Sequence, residues 1–538
     1  MTAVARRYVI GVDLGTSGSR TVLAGTDGRI LGHETARTAL HLLPGGGAEQ
    51  DPDDWWRAIR ETLRRLLDRR LVPVSDIAAI CLSAQWGGTV AVDAEGRHLH
   101  RALLWMDGRG AEHTRRLAGG GLRVPGTGYN ATRLRAWIAR SGGAPTLTGK
   151  DPVGQSQFLR HARPDVFARA AHLLDVPEYL TMRLTGRPVA GHDTVALRWC
   201  TDNRTPGAVR YDERLVRLSG LPRDRLPALV EPATVVGPIL PAAAAELGLG
   251  EHVLVAAGTG DTTAAAIGAG AVLPYQGHLC VGTSAWLSCH VPRKKTDVLH
   301  NVAALPSVVP DSYWVATIQD VAGKGIDWLI GNVLGPEGRD PDAAGEDRDE
   351  LLARLNRLAG EAPPGSNGVV FTPWLNGERT PVDDPTVRGG WFNVSLTTTR
   401  ADLARSTFEG IALNARWLNE SVERFTGRPF PHLNFIGGGA TSPLWCQAMA
   451  DVLGRTIRQV AEPALANARG AALIAAVALG ELDWSDIPEK VAIAAEFTPD
   501  PANRPVYDRA YAAFRSFYRH NRGIYAALNG RPPARPPR

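Results

Sequence analysis

Tyr8–Gly18 reads Tyr-Val-Ile-Gly-Val-Asp-Leu-Gly-Thr-Ser-Gly, a β-rich apolar run that ends in small and hydroxylated residues before a second run, Arg20–Leu23, resumes. The same plan returns far downstream: Gly277–Val281 leads into Gly282-Thr283-Ser284, and Trp286–Cys289 follows. Each copy predicts a β-hairpin whose turn brings the backbone close to a polyphosphate and aims N–H and hydroxyl donors at it. Two such turns facing each other would grip one nucleotide from both sides. Between them, Val253–Ala257 runs into Gly258-Thr259-Gly260-Asp261, which sets a carboxylate at a strand end, just ahead of a helix expected over Thr262–Gly270. That is a suitable place for a catalytic base.

Outward from the first turn, Thr21–Gly25 and Ile30–Glu34 read as strands joined by Asp27-Gly28, a strong hairpin signal. A helix follows, with Asp51 as N-cap, Pro52 in the first position, Asp53 and Asp54 complementing the dipole, and Trp56, Ile59, Leu63 and Leu66 on one face. Ile77–Ser83 reads as a buried strand and Thr89–Val92 as another. Three strands, a helix and a strand open each half of an actin-like, ribonuclease-H-like α/β fold. The second half repeats the plan less visibly, with helices expected at Arg400–Thr426, Pro443–Gly454 and Ala468–Gly480, and a strand at Leu433–Ile436. The expected organisation is an N-terminal domain over 1–270, a C-terminal domain over 271–525 and a disordered tail over 526–538. The charged segment Gly335–Glu350 is expected as a surface loop.

At 538 residues the chain exceeds what one hydrophobic core supports. A net charge of +5, carried mostly by scattered arginines, argues against nucleic acid as a partner. No apolar run reaches the roughly 18 residues of a membrane span, and Met1–Arg7 passes straight into the first strand without a signal-peptide pattern. A cytoplasmic protein with no membrane partner is expected. Cys81, Cys200, Cys280, Cys289 and Cys446 stand singly without C-x-x-C spacing, as reduced core thiols do.

The order of motifs from Ile10 to about Leu479 resembles the FGGY carbohydrate kinases, with the xylulokinases as the nearest branch. The stretches that carry the resemblance are Gly11–Gly18, Glu49-Gln50-Asp51-Pro52 with Trp55-Trp56, Leu104–Arg109, Gly258–Asp261, Gly377–Pro381, Phe408–Ile411 and Gly437–Ala440 with Ser442, Trp445, Gln447 and Asp451. The resemblance implies two actin-like domains flanking a cleft, and ATP and Mg²⁺ as the phosphoryl donor and its metal. It also implies phosphorylation of a sugar hydroxyl, D-xylulose first, or else another pentulose, a polyol or a sugar acid. A homodimer is left open.

Residue by residue, the resemblance makes Asp261 the base and a metal-side carboxylate, and Asp13 the Mg²⁺ residue. It gives Gly15, Thr16, Ser17, Gly282 and Thr283 to the phosphates, and Gly437, Gly438, Gly439 and Ser442 to the adenosine end. Gln85, Trp86, Trp105, Asp107 and Arg109, with Asp261, face the acceptor. Taken alone, Asp261 also fits a helix cap, Asp13 an Asx turn, Trp86 and Trp105 core aromatics, and Glu378-Arg379 an interdomain ion pair. Where xylulokinases read Gln-Met-His-Gly, this chain has Gln85-Trp86-Gly87-Gly88, so a histidine donor is lost and a flat ring gained. Lys150-Asp151-Pro152, and Thr262 after the base, depart from the pattern as well. A non-catalytic ATP- and sugar-binding regulator, or an actin-like chaperone or filament protein, are the readings from other classes; the presence of Asp261 counts against the first.

Overall fold

The computed structural model describes residues 7–125, 127–334 and 348–530. β1 (Tyr8–Gly15) and β2 (Gly18–Gly25) form the first hairpin, in a register that sets Asp13 opposite Arg20 and Gly15 opposite Gly18, and β3 (Ile30–Arg37) adds to β2. α1 (Pro52–Asp68) starts as its sequence dictates: the Asp51 side chain accepts the Asp53 N–H, while Trp55, Trp56, Ile59, Leu63 and Leu66 are buried. β4 (Ile77–Ala84) lies parallel to β1, and β5 (Val235–Pro238) and β6 (Leu254–Ala256) complete the order β5–β6–β4–β1–β2–β3. Thr259–Gly260 also pairs with β4, Thr259 opposite Ser83 and Gly260 opposite Ala84. Asp13 faces Ser83 from the other side. The parallel registers thus bring the first turn and the Gly-x-Gly-Asp segment to the same end of the sheet.

α2 (Asp261–Gly268) leads out of that segment. In the second half, β7 (Gly277–Val281) and β8 (Ala285–Ser288) form the second hairpin. After α3 (Arg400–Thr426), capped by the reciprocal Thr399/Asp402 box and closed by left-handed Gly427, β9 (His432–Ile436) runs parallel to β7. α4 (Pro443–Leu453), β10 (Thr456–Val460), α5 (Ala466–Ala478), β11 (Ile493–Phe497) and α6 (Arg504–Asn529) follow, giving the sheet order β8–β7–β9–β10–β11. Cys280 sits opposite Ile436, so the Gly437–Gly439 turn emerges beside the Gly282-Thr283-Ser284 turn.

α5, late in the sequence, lies against β1 and α2. A Cβ at Gly268 would strike the Ala466 carbonyl, one at Gly470 the Ala264 carbonyl, and one at Gly11 the Ala468 carbonyl. This backbone-to-backbone approach explains why α5 is so rich in alanine and glycine. Each half has its own hydrophobic core, and a third buried cluster, including Val9, Ile267, Cys280, Ile436 and Leu473, joins them.

Two strands depart from expectation. Val90–Val92 leaves the main sheet to pair with His172–Leu174. In the second half the strand after β8, His290–Val291, joins a separate four-stranded sheet, and the outer edge of β8 is met by a bridge from Ala285 to Gln319 and by the Thr317 hydroxyl, which bonds the Leu287 N–H and carbonyl. All five cysteines are buried and unpaired with one another. Among the described residues no helix is long and apolar enough to cross a membrane. Of the expected tail, 526–529 end α6, and 531–538 lie outside the described residues, as does most of the Gly335–Glu350 segment, whose last residues begin the helix Arg348–Gly360.

Candidate active site

Two carboxylates meet where the halves join. Asp13 is 2 % exposed; its Oδ1 accepts from the Ser83 hydroxyl at 3.2 Å and lies 3.5 Å from the Asn467 amide nitrogen of α5, and Arg20 Nη1 is 3.8 Å from Oδ2. Burial raises the Asp13 pKa against those three partners. Asp261 is the first residue of α2 and half-buried; Gly260 occupies the cap position, so Asp261 is no N-cap. Its Oδ1 accepts the Thr262 N–H at 2.8 Å. Burial first, and the Asp13 charge second, push its pKa up to about 7. Two oxygen-rich acids that repel one another, with one half-exposed arginine nearby, make a site that favours a cation or a proton.

The Gln85–Gly88 loop, expected to face the acceptor, packs beside them. Gln85 is buried, accepts the Thr16 hydroxyl at 3.1 Å and donates to Gln50 at 2.6 Å. Trp105 donates its indole N–H to Thr16 Oγ1 at 3.2 Å. The Trp86 ring lies against Gly260, where a Cβ would come within 3.2 Å of Trp86 Cγ, and its edge meets Trp314 of the second half at a 6.1 Å centroid distance. Arg379, also of the second half, sits 5.5 Å over the Trp105 ring while its Nη2 is 2.6 Å from Asp320. The ion pair of Arg379 is therefore made within its own half, and its contact across the cleft is with an aromatic face. Glu378 is buried, and burial raises its pKa to about 8 despite its bond from Asn414. Asp107 has no exposed surface: its carboxylate takes the Ala48 N–H and the Arg109 guanidinium, which also pairs with Glu49 at 2.6 Å and stacks on Phe158. These two charges brace the segment behind Trp105.

Around Gly15 and Gly282 a Cβ would meet nothing closer than 3.9 Å, so both turns border free space. Ser17 is exposed, whereas the Thr16 hydroxyl is engaged by Gln85 and Trp105. The Gly282 and Thr283 carbonyls accept N–H groups of Gly323 and Lys324 at the start of the helix Gly323–Leu329. Gly437 adopts φ +88°, and a Cβ there or at Gly439 would clash with Val281, while Gly438 faces open space. Ser442 caps α4 through the Trp445 N–H and bonds Asn356.

Arg20, Ser83, Asn467 and Asp193 at this site were not singled out from the sequence. Arg20 was within reach, because a hairpin closed by Gly15 and Gly18 must set residue 20 opposite 13. Asn467 comes to Asp13 across 454 residues and Asp193 to Gly260 across 67, with no local signal for either.

The family model described as the FGGY family of carbohydrate kinases, N-terminal domain, matches residues 8–268, and that of the C-terminal domain matches 277–479. The xylulose kinase of Bacillus subtilis is 29 % identical over 97 % of this chain and 99 % of its own, and the gluconokinase of the same species 23 % identical over 89 % of each. The solved xylulose kinase of Rhodospirillum rubrum superposes with a TM-score of 0.78 at 28 % identity, covering 96 % of this chain and all of that one. Matched by both family models over most of its length, the chain belongs to the FGGY family of carbohydrate kinases and is a sugar kinase.

Proposed function

We propose that the enzyme transfers the γ-phosphoryl group of ATP to a hydroxyl of D-xylulose, with Asp261 as the general base. The observation that carries this reading is the position of Asp261: a carboxyl whose pKa is raised to about 7, with Trp86 of the acceptor loop packed on the preceding residue and Asp13 close enough to perturb it. A base poised near neutral pH accepts the acceptor proton with little loss of driving force. Residues 1–270 bind the sugar and 271–525 most of the nucleotide, with the Gly15 and Gly282 turns directing N–H groups at the phosphates and Gly438 leaving room for the adenosine end. Closing the halves excludes water, so that the phosphoryl group meets the sugar rather than hydrolysing.

The donor set fits magnesium: Asp13 and Asp261 offer hard oxygen ligands, and among the described residues the cation that offsets their charge is Arg20, 3.8 Å from Asp13. When bound, the ion neutralises phosphate charge. A second acceptor class, other ketoses, polyols or aldonates, is favoured by the Gln85-Trp86-Gly87 loop, which offers a ring where a histidine donor would narrow the choice, its Gly87 and Gly88 N–H groups being held by Asp175. The test is coupled ADP release with Mg²⁺-ATP against D-xylulose, other pentuloses, polyols and D-gluconate. D-Xylulose giving the highest kcat/KM supports the assignment; no turnover with any of them overturns it.

A further inference from the structure

Behind the acceptor loop runs a short buried segment that touches both sides of the reaction. Asp193 is 2 % exposed; its Oδ2 accepts the Thr259 hydroxyl at 2.5 Å and the Gly260 N–H at 3.2 Å. The next residue, Thr194, takes the Trp86 indole N–H on its carbonyl at 3.1 Å and donates its hydroxyl to Glu178 at 3.0 Å. Glu178 is paired with buried Arg198 at 2.6 Å and accepts the Asp175 N–H at 2.8 Å. The Asp175 carboxylate in turn holds the Gly87 and Gly88 N–H groups at 3.0 Å each. Two consecutive residues thus tie the acceptor loop to the segment that delivers Asp261.

Gly258 and Gly260 leave space for a sugar, and the same absence of side chains leaves the backbone ahead of Asp261 free to wander. A buried carboxylate is costly unless its hydrogen bonds repay it, and those of Asp193 go to the one stretch whose freedom must be removed. Burial raises the Asp193 pKa, which those two bonds counter.

We propose that Asp193 is a positioning residue for phosphoryl transfer: it fixes Thr259 and Gly260, and through them the Asp261 carboxylate, at a set distance from an acceptor held by the Trp86 loop. This deepens, and rests on, the reading of Asp261 as the base. In the full-length enzyme, Asp193→Ala should lower kcat about 10- to 100-fold, the usual cost of a misplaced reacting group, with the KM for ATP changed less than about twofold. Thr259→Val, which removes only the hydroxyl partner, should lower kcat less, and Thr259→Ser should restore it; these two variants decide the matter if Asp193→Ala does not fold. Hydrogen exchange without ligands should be faster at the Thr259, Gly260 and Asp261 amides in Asp193→Ala. Unchanged exchange there, or kcat within about twofold of wild type in the folded variants, overturns the proposal. If the wild type phosphorylates no acceptor, the functional reading fails on its own and the exchange measurement still decides this one.

Discussion

At the scale of the residue, Asp261 carries the most weight because its environment alters its chemistry. Burial and Asp13 disfavour its charge and lift its pKa from 3.8 to about 7. As the proposed base, Asp261 acts in its ionised form, so kcat/KM for the acceptor should fall at acid pH, with the limb below about 7 because Mg²⁺ held beside the carboxylate favours its charged form. Asp261→Asn should remove that limb and cost about 10²- to 10⁴-fold in kcat while ATP still binds; a pH–rate series on both proteins measures it, and near wild-type turnover would remove Asp261 from the mechanism. Stability has the opposite sign. A carboxyl whose folded pKa lies above its unfolded one holds its proton in the native state through the interval between them, so the ligand-free protein should lose stability as pH rises from about 4 to about 7, and less so in Asp261→Asn. The residue scale also shows where motif reading stops. Asp107 follows the family pattern yet has no exposed surface, since its oxygens serve Ala48 and Arg109. A motif names a residue, but only packing says whether its side chain looks into the pocket or braces the wall.

At the scale of the element, the glycines of the three turns separate into two kinds. Gly437 and Gly439 are required by the protein itself, because Val281 occupies the space a side chain would take. Gly15 and Gly282 are not, for nothing stands within 3.9 Å of either hypothetical Cβ. Gly15→Val and Gly282→Val should therefore fold with little loss of melting temperature and yet bind ATP more weakly, the branched side chain filling the approach of the phosphates. Calorimetry reads both effects, and unchanged ATP affinity in either variant would exclude that turn from the nucleotide site. Elements of this kind were legible in the sequence because their signals are local: Asp51-Pro52 starts α1, Asp27-Gly28 joins β2 to β3, and Gly-Thr-Ser closes both hairpins. Val90–Val92 was legible as a strand but not in its pairing, since its partner, His172–Leu174, lies about eighty residues on. The run of alanines in α5 announced a buried helix, but that it presses on β1 is a matter of tertiary fit.

At the scale of the whole molecule, the halves meet at the α2–α5 crossing on one side and across the cleft on the other, where Trp86 meets Trp314 and Arg379 lies over Trp105. None of these pairings follows from sequence spacing, because each joins segments about two hundred residues or more apart. Away from the Gly-x-Gly-Asp end the halves are also joined by hydrogen bonds of Lys294, Thr296 and Tyr313 to the Ile138, Gly142 and Asn203 carbonyls, whereas the contacts next to Asp261 are aromatic and use the two tryptophans that would face the acceptor. Trp86 is the sharper probe of the two. Its indole N–H is fixed by the Thr194 carbonyl, its ring covers Gly260 next to Asp261, and its edge reaches the second half, while the phosphate turns owe nothing to it. Trp86→Ala should raise the KM for the best acceptor roughly tenfold, about the worth of one lost aromatic contact, with the KM for ATP unchanged. A site walled by a ring rejects changes of shape less severely than one built around a hydrogen-bonded hydroxyl. Wild-type activity should accordingly spread over several ketoses or polyols rather than fall on D-xylulose alone. Initial rates over the acceptor panel with both proteins test this, and a sharp preference for D-xylulose that survives Trp86→Ala would mean that selectivity is set elsewhere in the cleft.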